Sequence, residues 1–226
     1  MSIGDAANGP ARTNPPIGTL GRLHVITDTR PGRDPLALAL AALEAGAPVV
    51  QVRGKDLTDR ELYELSVRLV DACADHGATC IVDDRVHVAL AAGAHGVHVG
   101  EHDLPVGAAR RVVDLAGPGR LVGGTARDGT TARAHARDGA DYLGVGPCFT
   151  TTTKPGLPAP LGVAGLRAVT EAVDIPVIAI AGVTPARVRE LLDAGAYGVA
   201  VIGAVSDAPD PRAAVAAFLD ALGGPR

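Results

Sequence analysis

The sequence predicts an α/β fold, a closed (β/α)8 barrel of the TIM type in a single domain, and three observations predict it. First, one phrase recurs five times: a helix-like stretch, then Gly-Ala, then an apolar run. It stands at Gly46 ("EAGAPVVQV"), Gly77 ("DHGATCIV"), Gly93 ("AAGAHGVHV"), Gly139 ("RDGADYLGV") and Gly195 ("DAGAYGVAV"). Glycine closes a helix in the left-handed conformation without a Cβ penalty, and the β-branched run that follows enters a sheet. Second, eight apolar runs alternate with helical patterns, the signature of βα units and a parallel sheet. Third, the chain has 226 residues, 47% apolar but only 2% aromatic and without Trp. Val, Leu, Ile and Ala must build the core, and they suit buried parallel strands. A doubly wound open sheet is the rival architecture.

The strands are expected at 23–27 ("LHVIT"), 49–53 ("VVQVR"), 79–83 ("TCIVD"), 96–100 ("GVHVG"), 121–125 ("LVGGT"), 142–146 ("YLGVG"), 176–182 ("PVIAIAG") and 198–203 ("GVAVIG"). Helical spacing is clearest in "DRELYELSVRLVDACADHG", where Leu62, Leu65, Leu69 and Cys73 fall on one face. Residues 1–19, rich in Gly, Pro and Asn and without an apolar core segment, read as a disordered tail and not a signal peptide. The barrel domain is expected over 20–222, with a short tail at 223–226. No run approaches membrane-spanning length. The net charge of −4, with no basic stripe, argues against nucleic acid. Three cysteines without metal-ligand spacing, Cys73, Cys80 and Cys148, fit a reducing cytoplasm.

A barrel carries its active site at the C-terminal ends of its strands, so the residues just past each run are the candidates. After the second run, Gln51, Arg53 and Lys55 alternate, which on extended backbone turns all three to one side. After the third come Asp83, Asp84 and Arg85; after the fourth, Glu101 and Asp103. Carboxylates at neighbouring strand ends suit Mg²⁺, which takes one or two of them with water and substrate phosphate. Asp103 also reads as a helix N-cap before Leu104 and Pro105. His98 and His102 flank this segment without a zinc spacing and read as structural, while His24, His76, His87, His95 and His135 follow no pattern. Thr125 follows Gly123 and Gly124, small residues that admit close approach of a ligand.

After the sixth run, "GVGPCFTTTTKPG" opens a loop reaching about Pro160, longer than usual for a βα connection. Its hydroxyls (Thr150 to Thr153), its backbone N–H groups and Lys154 favour phosphate oxygens. Gly182, Gly203 and Ala204 follow the seventh and eighth runs, where such barrels often bind phosphate. No Cys–His or Ser–His pair stands out as an activated nucleophile.

The stretches "QVRGK", "DDRVHVALAAGAHGVHVGEHDLP", "GADYLGVGPCFTTTTK", "AIAGV" and "GVAVIGAV", in that order, make the chain resemble the thiamine phosphate synthase family from about Leu23 to Leu222. The resemblance implies a (β/α)8 barrel, usually a homodimer, that joins a hydroxymethylpyrimidine diphosphate to a thiazole phosphate and releases pyrophosphate. It implies that Gln51 contacts the pyrimidine and that Arg53, Lys55 and Lys154 are the catalytic cations on the diphosphate. Asp84 and Asp103 would hold Mg²⁺; Thr151, Thr153, Gly182, Gly203 and Ala204 would surround the thiazole phosphate. Four positions depart from the commonest family pattern: Asp83 for Asn, Glu101 for Gln, Thr125 for Ser and Gly203 for Ser. Asp83 and Thr125 remain expected substrate-binding positions. Two alternatives share the fold: a thiazole tautomerase-like isomerase, which needs no diphosphate grip, and a non-catalytic phosphate-ligand binding barrel.

Overall fold

A computed structural model describes residues 20–153 and 156–223. The tail expected at 1–19, Lys154 and nearly all of the C-terminal tail lie outside the described residues. Among those described, the strands are β1 (Leu23–Ile26), β2 (Val49–Val52), β3 (Thr79–Asp83), β4 (Gly96–Val99), β5 (Leu121–Ala126), β6 (Tyr142–Val145), β7 (Val177–Ile180) and β8 (Gly198–Val201). All neighbours pair in parallel, and β8 returns to β1 to close the barrel. Closure decides against the open sheet.

The helices between them are α1 (Pro35–Glu44), α2 (Asp59–Asp75), α3 (Val86–Ala91), α4 (Val106–Leu115), α5 (Gly129–Arg137), α6 (Gly162–Thr170), α7 (Pro185–Asp193), α8 (Gly203–Ser206) and α9 (Pro211–Ala221). None is long and apolar enough to cross a membrane. The five glycines of the recurring phrase all have positive φ, between 63° at Gly77 and 96° at Gly139, so each helix ends where the pattern predicts. Asp34, Thr58, Asp128 and Asp210 cap α1, α2, α5 and α9 through their side chains. On α2 the buried stripe is Leu62, Ser66, Leu69 and Cys73, with Leu65 only partly buried. The Ser66 hydroxyl is satisfied by donating to the Leu62 carbonyl at 2.6 Å.

Alternation along each strand splits the core in two. Leu23, Val25, Val50, Val52, Val82, Val97, Val122, Leu143 and Val199 face the helices. Ile26, Val49, Ile81, Leu121, Tyr142, Ile178 and Ala200 fill the barrel interior. The glycines of "LVGGT" serve this packing rather than ligand approach. A Cβ on Gly123 would run into the Tyr142 ring and come 2.5 Å from His98 Nδ1, and one on Gly124 would meet Val106 at 2.8 Å. All three cysteines are free and buried.

Candidate active site

The strand ends open on one cavity of about 950 Å³. It is lined by Gln51, Arg53, Lys55, Asp83, Asp84, Glu101, Asp103, Thr125, Thr150 to Thr153, Gly182, Gly203 and Ala204. Of the described strand-end candidates, all but Arg85 therefore share one cleft.

β2 delivers the first group. Gln51 is buried inside the barrel, and its Nε2 donates to Asp83 Oδ1 at 3.0 Å. The end of the strand is fixed by Thr27, whose hydroxyl accepts from Arg53 N–H (2.8 Å) and donates to Arg53 O (2.9 Å). Arg53 Nε then lies 3.4 Å from Asp83 Oδ2. One buried carboxylate thus holds both the amide and the guanidinium. Burial raises the Asp83 carboxyl above its ordinary range, against the pull of Lys55 and Arg53.

β3 and β4 deliver the acidic pair. Asp84 takes a left-handed φ of 64°, uncommon for a residue with a side chain, and its N–H donates to His98 O at 2.7 Å. Asp103 is not the N-cap of α4. That position belongs to Pro105, and Asp103 Oδ2 reaches back to accept from Gly100 N–H at 2.8 Å. Lys55 Nζ is ion-paired with Asp84 and lies 3.9 Å from Asp103. Burial, the hydrogen bond shared with Asp103 and the charge of Asp83 push Asp84 up to about 7. Asp103 falls below the ordinary range: burial opposes this, but the bonds from Asp84 and Gly100 and the charge of Lys55 outweigh it. The two carboxylates thus stand together beside one ammonium, and their opposite shifts belong to the pair. Arg85 turns away, to Asp59 at 3.0 Å.

Across the cavity, Thr151 and Thr153 order one another through a 3.2 Å hydroxyl contact. Gly182 (φ 66°) packs under the start of their loop, where a Cβ would meet Phe149 Cβ and Thr150 O at 2.6 Å. At Gly203 a Cβ would meet Thr153 Oγ1 at 2.6 Å and Asp207 Oδ2 at 2.9 Å. Cys148 is no nucleophile, since burial pushes its thiol up to about 11.

Several lining residues carry no sequence signal. Arg127 donates to Gly146 O (2.9 Å) and Ala159 O (3.0 Å), tying the two ends of the threonine loop. Arg187 donates to Gly182 O at 2.8 Å and lies over the Phe149 ring, 4.1 Å from its centroid. His24, His98 and Tyr142 form the floor. His98, expected to be merely structural, hydrogen-bonds Thr125.

Among the described residues no group of three or more His, Cys, Asp and Glu is placed to hold a metal. The two carboxylates Asp84 and Asp103 are the number Mg²⁺ needs when water and phosphate complete its shell. They fit it, because both carboxylates already turn to one positive charge, the Lys55 ammonium.

Residues 23–205 match the model of the family described as thiamine monophosphate synthase. The chain is 57% identical over 209 residues to a thiamine-phosphate synthase of Salinispora arenicola, covering 91% of this chain and 99% of that one. It is 56% identical to the synthase of Salinispora tropica over the same shares. A solved thiamine phosphate pyrophosphorylase from Pyrococcus furiosus superposes with a TM-score of 0.82 at 36% identity, covering 92% of this chain and 98% of that one. The chain belongs to the thiamine monophosphate synthase family, and thus to the transferases of thiamine biosynthesis.

Proposed function

We propose that the chain condenses 4-amino-2-methyl-5-hydroxymethylpyrimidine diphosphate with a thiazole phosphate, giving thiamine phosphate and pyrophosphate. The observation that carries this is the layout of one cavity. Arg53 and Lys55 stand beside the Asp84–Asp103 pair, and a glycine- and threonine-lined pocket lies opposite. Two phosphorylated substrates use both ends.

In this reading Gln51 and Thr125 orient the pyrimidine. Arg53, Lys55 and Lys154 grip its diphosphate, with Asp83 holding Gln51 and Arg53 in place. Thr151, Thr153, Gly182, Gly203 and Ala204 enclose the thiazole phosphate. Asp84 and Asp103 would hold Mg²⁺, which when bound neutralises charge on the leaving pyrophosphate. Arg53 and Lys55 stabilise the same charge as it develops. The methylene C–O bond breaks with its electron pair going to pyrophosphate, and the electron-rich aminopyrimidine carries the positive charge left behind. The thiazole nitrogen lone pair then forms the C–N bond. No protein group need become nucleophile or base, so the contribution of the chain is positioning and electrostatics. By family resemblance the working form is a homodimer in the cytoplasm.

Mixing both substrates with Mg²⁺ and measuring pyrophosphate tests the reading. Release that stops in excess chelator supports it. An isomerase or a binding protein releases none. Arg53→Ala or Lys154→Ala should lower kcat by about 100-fold or more while the variant keeps the circular-dichroism spectrum of the folded protein. Near-normal rates in both variants would remove these assignments.

A further inference from the structure

The floor of the cavity carries a hydrogen-bonded chain across three adjacent strands, and its two buried members, Tyr142 and His98, have no part in the proposed chemistry. Tyr142 Oη lies 3.2 Å from His98 Nδ1, and His98 Nε2 lies 3.0 Å from Thr125 Oγ1. Tyr142 and His98 are buried, at 1% and 9% exposure, while Thr125 is partly open to the cavity. The space is built for this pair. A Cβ on Gly123 would strike the tyrosine ring, and one on Gly144 would lie 3.0 Å from His98 Cε1. His24 holds the other side of Tyr142, edge to face at 5.5 Å. Its own Nε2 faces the Leu20 carbonyl at 3.0 Å, so that nitrogen must be a donor.

Proton counting gives the chain a direction. His98 is buried and its ring nitrogens meet only the hydroxyls of Tyr142 and Thr125, with no carboxylate to hold a second proton, so the neutral ring has one N–H and one lone pair. Two arrangements are available. If Nδ1 carries the proton it donates to Tyr142, and the tyrosine O–H is left without an acceptor, because His98 is its only hydrogen-bond partner among the described residues. An unsatisfied buried donor costs about 1–3 kcal/mol. If Nε2 carries the proton, Tyr142 donates to Nδ1, Nε2–H donates to Thr125 Oγ1, and every group is satisfied. The Thr125 hydroxyl proton is then left for the cavity.

We infer that Tyr142 and His98 are positioning residues that fix Thr125 as a hydrogen-bond donor, so that this point of the site takes a ligand acceptor such as an aromatic ring nitrogen. The identification of that nitrogen with the pyrimidine rests on the function proposed above; the direction of the chain does not.

Nitrogen-15 NMR of the histidine side chains in the substrate-free wild type at pH 7 reads the direction. The expected result is the Nε2–H tautomer at His98; the Nδ1–H tautomer would overturn the inference. Tyr142→Phe removes the biasing donor. It should shift the His98 signals toward a mixture of tautomers and raise KM for the pyrimidine diphosphate by about 10-fold, more than it changes kcat, with KM for the thiazole phosphate unmoved. Thr125→Val should raise the same KM, and adding Tyr142→Phe to it should cost little more, since the tyrosine acts only through Thr125. Equal changes in both KM values, no change in either, or fully additive effects would contradict the assignment. An Nε2–H wild type that releases no pyrophosphate would overturn the functional reading and the ring-nitrogen assignment together.

Discussion

Gly182 and Gly203 show how single residues set this site. Gly182 has a left-handed φ and no room for a Cβ beside Phe149 and the Thr150 carbonyl. Gly182→Ala should therefore cost about 2–4 kcal/mol, read as a lower urea midpoint with an unchanged slope. At Gly203 the obstacle is the Thr153 hydroxyl and the Asp207 carboxylate, both ends of side chains that can give way. Gly203→Ala should leave the melting temperature nearly unchanged and raise KM for the thiazole phosphate several-fold. Both glycines were legible in the sequence because they stand just past a strand. Arg127, Arg187, His98 and Tyr142 were not. A solitary arginine or histidine has no spacing to mark it, and these reach one cavity only when the barrel brings together the strands, loop and helix that carry them.

At the scale of elements, the connections on the catalytic face are tied to one another. Asp28, buried after β1, accepts from Arg30 Nη2 (2.6 Å) and from Ser206 Oγ (2.7 Å) at the end of α8. Arg30 and Arg33 both pair with Asp207, and Arg33 donates to Ser206 O at 2.8 Å. The first connection thereby fixes the last, which carries Gly203 and Ala204. Arg30→Ala leaves the buried Asp28 carboxylate short of its main partner and should cost about 2–3 kcal/mol in a urea melt. This clamp joins residues at opposite ends of the chain, so periodicity could not reveal it. The helix–Gly–Ala–strand phrase could be read because its physics is local. The N-cap expected at Asp103 failed for a similar reason: the cap rule sees only neighbours in sequence, whereas Asp103 is drawn back to Gly100, Asp84 and Lys55.

For the whole molecule, the closed ring turns eight strand ends into one rim, and this much followed from the alternation of apolar and helical segments. The barrel interior was less legible, since the glycines that admit His98 and Tyr142 look like any others in the sequence. That interior has a pH signature. His24 and His98 are held neutral down to about 4, burial being the main cause, whereas in the unfolded chain they protonate near 6.5. Between those values the unfolded state binds more protons, so their contribution is full above about pH 6.5 and lost as pH falls toward 4, about 3 kcal/mol for each. Asp84, raised to about 7, works in the opposite sense. Comparing the wild type with His24→Gln isolates one imidazole, and the variant's stability should fall less steeply over that interval; identical slopes would contradict buried neutrality.

The measurement closest to the central claim is a crystal structure with thiamine phosphate, pyrophosphate and Mg²⁺ bound together. The account predicts pyrophosphate on Arg53 and Lys55 with the metal on Asp84 and Asp103, and the monophosphate among Thr151, Thr153, Gly182 and Gly203 in the same cavity. Anions bound away from that rim, or a metal on neither aspartate, would contradict it.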